Sequence, residues 1–261
     1  MIAGDMSDVS STTERTALIT GGGRRIGAAI ALALARAGHA VMLHAHRSRT
    51  EAEALASNIV GQGGRARVVL GDLADGAALP RIVAAAAAFG PLTLLVNNAS
   101  EFDEDEIVTL ERARFERTMA INLTAPLFLA QAFAAQAPDG ADCSIVNIVD
   151  QRVLKLTPRF FSYTLSKSAL YAATVTLAQA LAPKIRVNAV APGPTLPSPR
   201  QSDEQFAAQA RALLLGRGPT PEDVAGAVVY LAGARGVTGT IIPVDGGQHI
   251  SWRTADSDIA E

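Results

Sequence analysis

Residues 17–27 read A-L-I-T-G-G-G-R-R-I-G, and the reading of this stretch decides the fold. Ala17-Leu18-Ile19 is a short continuous apolar run, three glycines follow Thr20, and from Ile26 the composition turns helical. A fully apolar strand of this kind belongs to a sheet covered on both faces. The glycines let the backbone turn sharply and approach a pyrophosphate, while the helix behind them offers free N–H groups and the positive end of its dipole. Taken alone, the stretch is equally an ordinary tight turn. Its spacing, Gly21 then Gly27, departs from the three-glycine dinucleotide fingerprint, and Arg25 stands where another glycine is usual.

Outward from this turn, strands and helices alternate. The pattern predicts a helix over 26–37 stopped by Gly38, a strand at 40–45, a helix at 51–60 and a strand at 66–70. An alanine-rich helix at 79–89 closes on Gly90-Pro91, and a fourth strand covers 92–96. Helices at 110–120 and 126–136 follow, then strands at 144–149 and 185–190 separated by a long helix ending near Pro183. A helix at 222–231 and a strand at 240–244 complete the series. The expected fold is α/β: a single-domain, doubly wound (Rossmann-type) parallel sheet over residues 15–252, with helices on both faces. Polar tails at 1–14 and 253–261 flank it. The Pro- and Ser-rich stretch 192–202 follows a strand at the carboxyl edge, where open α/β sheets bind ligands. Residues 194–215 are therefore expected to form a substrate-covering loop and helix, with a merely solvated loop as the alternative.

Composition narrows the function classes. Of 261 residues, 49% are hydrophobic and 18% charged, which supports a large core and argues against disorder. A net charge of −2 gives no basic field for nucleic acid or an anionic membrane. No run reaches the roughly 20 apolar residues that span a bilayer, and the polar start does not read as a signal peptide. The lone Cys143, beside an apolar run, excludes an intrachain disulfide and suits a cytoplasmic protein acting on a small molecule.

The segment after the second strand, His44-Ala45-His46-Arg47-Ser48, bears on the cofactor. An NAD enzyme carries an acidic residue there for the ribose 2′-hydroxyl. This chain has none, and Arg47 with Ser48 suits a 2′-phosphate, so NADP(H) is expected. The two histidines lack partners at metal-ligand spacing, and no metal is expected. Asp72-Leu73 follows the third strand, where the carboxylate either accepts from an adenine amino group or caps a helix. Asn97-Asn98-Ala99-Ser100 follows the fourth, as nucleotide contacts or as turn chemistry. Tyr163 and Lys167 lie four residues apart on one helix face. A nearby ammonium and an oxidised nicotinamide would favour the phenolate and bring the tyrosine pKa closer to the working range.

Together T-G-G-G-R-R-I-G, Asp72, N-N-A-S, Asn122 in I-N-L-T-A-P, Y-T-L-S-K and I-R-V-N-A-V-A-P-G resemble the short-chain dehydrogenase/reductase family over nearly the whole chain. The resemblance implies about seven parallel strands and a homotetramer built through helices around 110–136 and 163–181. It implies Tyr163 as proton donor, Lys167 also holding the ribose, and Asn122 supporting a proton relay. Gly21, Arg25, Ile26, Gly27, His46, Arg47, Ser48, Asp72, Leu73, Asn98, Ala99 and Ser100 would line the cofactor, with Pro192, Gly193 and Thr195 at the nicotinamide end. The family usually places a serine thirteen residues before the tyrosine; here that residue is Asp150. A carboxylate cannot donate a hydrogen bond to a carbonyl and repels a developing alkoxide, unless it is protonated or Gln151 substitutes. Asp150, Arg25, His46-Arg47-Ser48 and the run from Asn97 to Phe102 resemble the pteridine reductase branch. That likeness implies a pterin stacked on Phe102, polar contacts from Arg25 and Ser100, and proton transfer assisted by Asp150 and Tyr163. The acidic stretch 103–106 reads as a solvated loop or a modifier of substrate charge preference. Two other readings stand beside this one: a generic carbonyl or 3-oxoacyl reductase, and a non-catalytic NADP(H)-binding sensor.

Overall fold

Strands β1 (Arg15–Ile19), β2 (His39–Ala45), β3 (Ala66–Leu70), β4 (Leu92–Asn97), β5 (Cys143–Ile148), β6 (Ile185–Pro192) and β7 (Ile241–Val244) form one sheet. They run parallel in the order β3-β2-β1-β4-β5-β6-β7. The computed structural model describes residues 15–198 and 200–252, so the expected tails at 1–14 and 253–261 lie outside the described residues. Strand side chains alternate between the two faces, and each set meets its own helices. Ile19, Leu43, Val96 and Val190 pack with α1 (Arg25–Arg36) and α8 (Pro221–Gly233). Leu18, Leu95, Ile145 and Val187 pack with α3 (Ala78–Ala87) and α5 (Ala125–Gln136). The chain winds outward from β1 to β3 and then returns to β4 on the other side of β1. That reversal brings the glycine turn after β1 and the Asn98–Ser100 segment after β4 to one crevice, the place such sheets reserve for ligands.

The predicted elements match with boundary shifts of a few residues, and β6 continues to Pro192 because Pro192 pairs with Val244 of β7. One difference is structural. The two helices expected at 110–120 and 126–136 are a single helix, Arg112–Gln136. In it α4 (Arg112–Met119) passes through a π turn at Ala120–Thr124 into α5. Pro126 has no N–H to return to a carbonyl one turn back, and the wider π turn absorbs that break without ending the helix. By length and mean hydropathy alone this helix could cross a bilayer, although it contains no continuous run of about 20 apolar residues. Its Ala125, Leu129, Ala130 and Phe133 are buried in the core against the sheet. The expected covering segment 194–215 contains α7 (Asp203–Arg211), started by a reciprocal Ser202–Gln205 capping box.

His44, set aside in the sequence as a failed metal ligand, ties the crevice together. Its Nδ1 accepts the Gly21 N–H at 3.3 Å, and its Nε2 lies 3.1 Å from the Gly71 carbonyl. Accepting at one nitrogen and donating at the other requires the neutral ring. Burial accordingly pushes its pKa down from 6.5 to about 4, and burial with the nearby Arg15 does the same at His39. Between those values the unfolded chain takes up a proton that the fold refuses, so stability falls as pH falls. For one histidine the effect is on the order of 3 kcal/mol. His44→Gln should be less stable than the wild type near neutrality in urea unfolding, yet lose less stability between about pH 7 and 4.5. An identical loss in both proteins would contradict this role.

Candidate active site

The carboxyl ends of β4, β5 and β6 and the start of α1 open on a cleft of about 1010 Å³. At its glycine end the backbone leaves no spare room. A Cβ on Gly27 would lie 2.2 Å from the Gly21 carbonyl oxygen, and Gly21 itself has φ +61°. Thr20 Oγ1 accepts the N–H groups of Asn98 and Ala99 at 2.9 and 3.0 Å. Asn98 Nδ2 donates to the Thr20 and Gly21 carbonyls at 2.9 and 3.1 Å. Asn98 and Ala99 thus hold the glycine turn against β4. No side chain caps α1, whose first amides belong to Arg25, Ile26 and Gly27. An uncapped helix start behind a glycine turn is a fitting seat for a pyrophosphate.

Farther along the sheet edge, Arg47 is exposed and makes no ion pair or hydrogen bond among the described residues. Ser48 precedes α2 (Arg49–Gly61) and makes no capping bond from its side chain. Both are available to a phosphate beyond the end of β2. His46 stands 3.9 Å from Asp72. Asp72 accepts the Ala74 amide at 3.0 Å, a local turn, and also pairs with Arg117 at 3.3 Å. Burial opposes its ionisation, but the Ala74 amide, Arg117 and His46 outweigh it and hold the carboxyl below its ordinary value. Arg117, unmarked in the sequence reading, extends the pair to Glu101 at 3.0 Å. The Leu73 side chain does not face the crevice; it is part of the core. At the other end, Pro192 closes β6, and Thr195 Oγ1 donates to the Gly193 carbonyl at 3.0 Å. A Cβ on Gly193 would come within 2.7 Å of the Asp245 backbone.

The catalytic candidates converge on the first turns of α6 (Phe161–Leu181). Tyr163 Oη donates to Asp150 Oδ2 at 2.8 Å, while Asp150 Oδ1 accepts the Arg152 amide at 2.8 Å. Gln151, the suggested substitute donor, is itself buried beside them. Lys167, fully enclosed, donates to the Ile148 carbonyl at 2.7 Å. Burial lowers Lys167 from 10.5 to about 8, against the pull of Asp150. Burial also raises Asp150, more than Arg152, Tyr163 and Lys167 lower it. Within the protein alone, burial, then the charge and hydrogen bond of Asp150, push Tyr163 well above 10; the acidifying effect expected of Lys167 is tied to an oxidised nicotinamide beside it. Neither member of the pair ionises readily here.

Asn122 lies in the π turn, fully buried. Its Oδ1 accepts the Glu101 amide at 2.8 Å and the Ser100 hydroxyl at 3.2 Å. Its Nδ2 donates to the Glu101 carbonyl at 2.9 Å and to Ser166 at 3.1 Å. With every side-chain group engaged, Asn122 clamps the Ser100–Glu101 segment to α6 and fixes where Phe102 points. Phe102 stacks on Phe160 with centroids 4.4 Å apart and meets Tyr163 edge-on at 4.6 Å. Phe160, in a left-handed conformation at φ +55°, was invisible to sequence reasoning. Arg25 also has a positive φ, +53°, and its guanidinium donates to the Leu196 and Pro197 carbonyls at 3.2–3.4 Å, linking the start of α1 to the covering segment.

The acidic stretch beside Phe102 is not simply solvated. Asp105 is buried and accepts from both the Ser162 amide, at 3.0 Å, and the Ser162 hydroxyl. Glu104 pairs with Arg159. Asp105 therefore anchors the N-terminus of α6, where a negative charge also favours the helix dipole, one residue before Tyr163. The repeated acids of the sequence hid which one turns inward.

A family model described as enoyl-(acyl carrier protein) reductase matches residues 22–249. Among solved structures, the chain is similar to an alternative dihydrofolate reductase 1 from Brucella canis complexed with NADP. The two are 49% identical with a TM-score of 0.90, covering 94% of this chain and 97% of that one. A blue fluorescent protein from a metagenomic library, in complex with NADPH, is 36% identical with a TM-score of 0.83, covering 90% and 98%. Pteridine reductase 1 of Leishmania tarentolae is 31% identical, covering 93% of this chain and 99% of its own.

The coupling of Tyr163 to Asp150 has a direct spectroscopic consequence. In an ultraviolet pH titration of the ligand-free protein, one of the three tyrosines should ionise well above the others. In Asp150→Asn it should move to lower pH, because the opposing charge is gone. No difference between the two titrations would contradict the coupling.

Proposed function

The chain belongs to the short-chain dehydrogenase/reductase family, and on that premise we propose that it uses NADPH to reduce a dihydropterin. The observation that carries this reading is the 2.8 Å hydrogen bond from Tyr163 to Asp150 beside the Phe102 ring. A half-buried carboxyl paired with a phenol suits a heterocycle that both donates and accepts hydrogen bonds, and suits a developing alkoxide poorly. The relatives whose names specify dihydrofolate or pteridine reduction support the same ring class.

The cofactor assignment rests on fit. The glycine turn and uncapped α1 suit a pyrophosphate, and the unpaired Arg47 suits the 2′-phosphate. NADPH, when bound, supplies the hydride. The chain's own residues then manage the proton. Phe102 keeps one face on Phe160 and offers its exposed remainder to a flat ring. Tyr163 hands its proton to a ring nitrogen, and Asp150, whose neutral form burial favours, returns one to the phenolate. Lys167 stabilises the phenolate as it forms and contacts the ribose; Asn122 holds the segment that carries Ser100 and Phe102. Ser100 and Arg25 serve as polar contacts at the ring's rim. Assembly as a homotetramer is supported by the apolar side chains that α5 and α6 leave exposed, Phe128, Leu165 and Val175.

Oxidation of NADPH with dihydrobiopterin, dihydromonapterin and dihydrofolate tests the assignment; turnover of a simple ketone with no turnover of any pterin would overturn it. Asp150→Ser should lower pterin kcat/KM about a hundredfold, the usual scale for losing an acid–base partner. Unchanged pterin turnover would remove Asp150 from the mechanism. Arg47→Ala should weaken NADPH binding far more than NADH binding, and equal losses would refute its phosphate role.

A further inference from the structure

The cleft is strongly cationic in a protein whose net charge is −2: six Lys or Arg side chains line it against two carboxylates, Glu104 and Asp150. Most of the six have internal work. Arg159 is paired with Glu104, Lys155 donates to the Ser251 carbonyl at 2.7 Å, and Lys167 is bound to Ile148. Arg25 belongs to the glycine turn. Arg152 and Arg200 are different. They flank the stacked Phe102–Phe160 pair, with guanidinium centres 5.8 and 4.8 Å (Arg152) and 5.6 and 5.5 Å (Arg200) from the two ring centroids. Arg200 spends one nitrogen on the Phe102 carbonyl at 2.8 Å and has no carboxylate partner among the described residues. The carboxylate nearest Arg152 is Asp150, at 3.9 Å, longer than a charge-assisted hydrogen bond. Burial also favours the neutral form of that carboxyl.

Two guanidiniums converging on one aromatic pair, Arg200 with no carboxylate partner among the described residues and Arg152 only at 3.9 Å from Asp150, constitute a recognition surface for an anion. The cofactor phosphates do not explain it, since their fitting seats are the start of α1 and Arg47. Arg152 and Arg200 instead stand where Phe102 and Phe160 meet Tyr163, on the substrate side of the site. We propose that Arg152 and Arg200 form a subsite for an anionic extension of the substrate. The preferred substrates are then pterins whose side chain ends in carboxylate or phosphate, rather than neutral hydroxyalkyl pterins. This rests on the pterin reading above, and the test separates the two.

Steady-state kinetics should compare dihydrofolate (carboxylate-ended), dihydroneopterin phosphate and neutral dihydrobiopterin, with wild type and Arg200→Gln. The variant should raise the KM of at least one anionic substrate about tenfold relative to that of dihydrobiopterin. The anion that responds identifies carboxylate or phosphate. In parallel, the NADP⁺-loaded protein is titrated calorimetrically with 4-aminobenzoyl-glutamate, its uncharged diamide and inorganic phosphate. A charged probe should bind more tightly than the diamide, and Arg200→Gln and Arg152→Gln should each reduce that advantage. If no dihydropterin is reduced, the pterin reading fails while the titration still decides the subsite. The proposal is overturned if the KM ratios do not change in the variant, or if neither charged probe binds better than the diamide.

Discussion

A phenol and a carboxyl held 2.8 Å apart at the wall of the cleft constrain each other's charge, and the site is arranged around that constraint. Burial disfavours the ionised form of both; the charge of Asp150 makes Tyr163 harder still to ionise, while the Tyr163 hydroxyl, donating to Asp150, partly offsets the cost to the carboxyl. The elements that carry them are rigid. Asp150 follows β5, an interior strand beside the central β4, and Tyr163 sits in the first turn of α6, whose N-terminus is tied down by the buried Asp105. Arg152 holds the second oxygen of Asp150 through its amide, so the carboxyl cannot swing freely. The result is a phenol–carboxyl pair placed by the end of β5 and the start of α6.

The cofactor side obeys a parallel logic of fixed backbone. Thr20, Asn98 and His44 each bond to the backbone of the turn or its neighbouring strand end, joining β1, β2, β3 and β4 at the point where strand order reverses. The glycine requirement at position 27 comes from that crowding, since its missing Cβ is the space the Gly21 carbonyl occupies. The phosphate-binding role expected of this turn and the packing that shapes it are one arrangement. Asn98 and His44 support it without needing to touch a ligand.

Much of this was legible in the chain. Apolar runs at 17–19 and, but for Thr93, at 92–96 located strands because a sheet covered on both faces requires near-continuous hydrophobicity. Tyr163, Lys167 and Asn122 stood out through spacing and family likeness. What the chain concealed depends on contacts between distant residues. Asp105 looked like one acid among several until α6, 57 positions away, supplied Ser162. Phe160 gained meaning only when Phe102 came to lie upon it, and Arg117 only by reaching Asp72 and Glu101 together. The π turn at Ala120–Thr124 defeated a reading by regular period, since its extra residue shifts the helix face without ending the helix.

The central claim is that the Tyr163–Asp150 pair meets the nitrogens of a flat heterocycle held against Phe102. A structure of the ternary complex with NADP⁺ and a dihydropterin tests it most directly. The account predicts the ring stacked on the free face of Phe102, with Asp150 and Tyr163 both within hydrogen-bonding distance of ring nitrogens or their exocyclic amine. A ring bound elsewhere in the cleft, with Asp150 still engaged only by Tyr163 and Arg152, would contradict it.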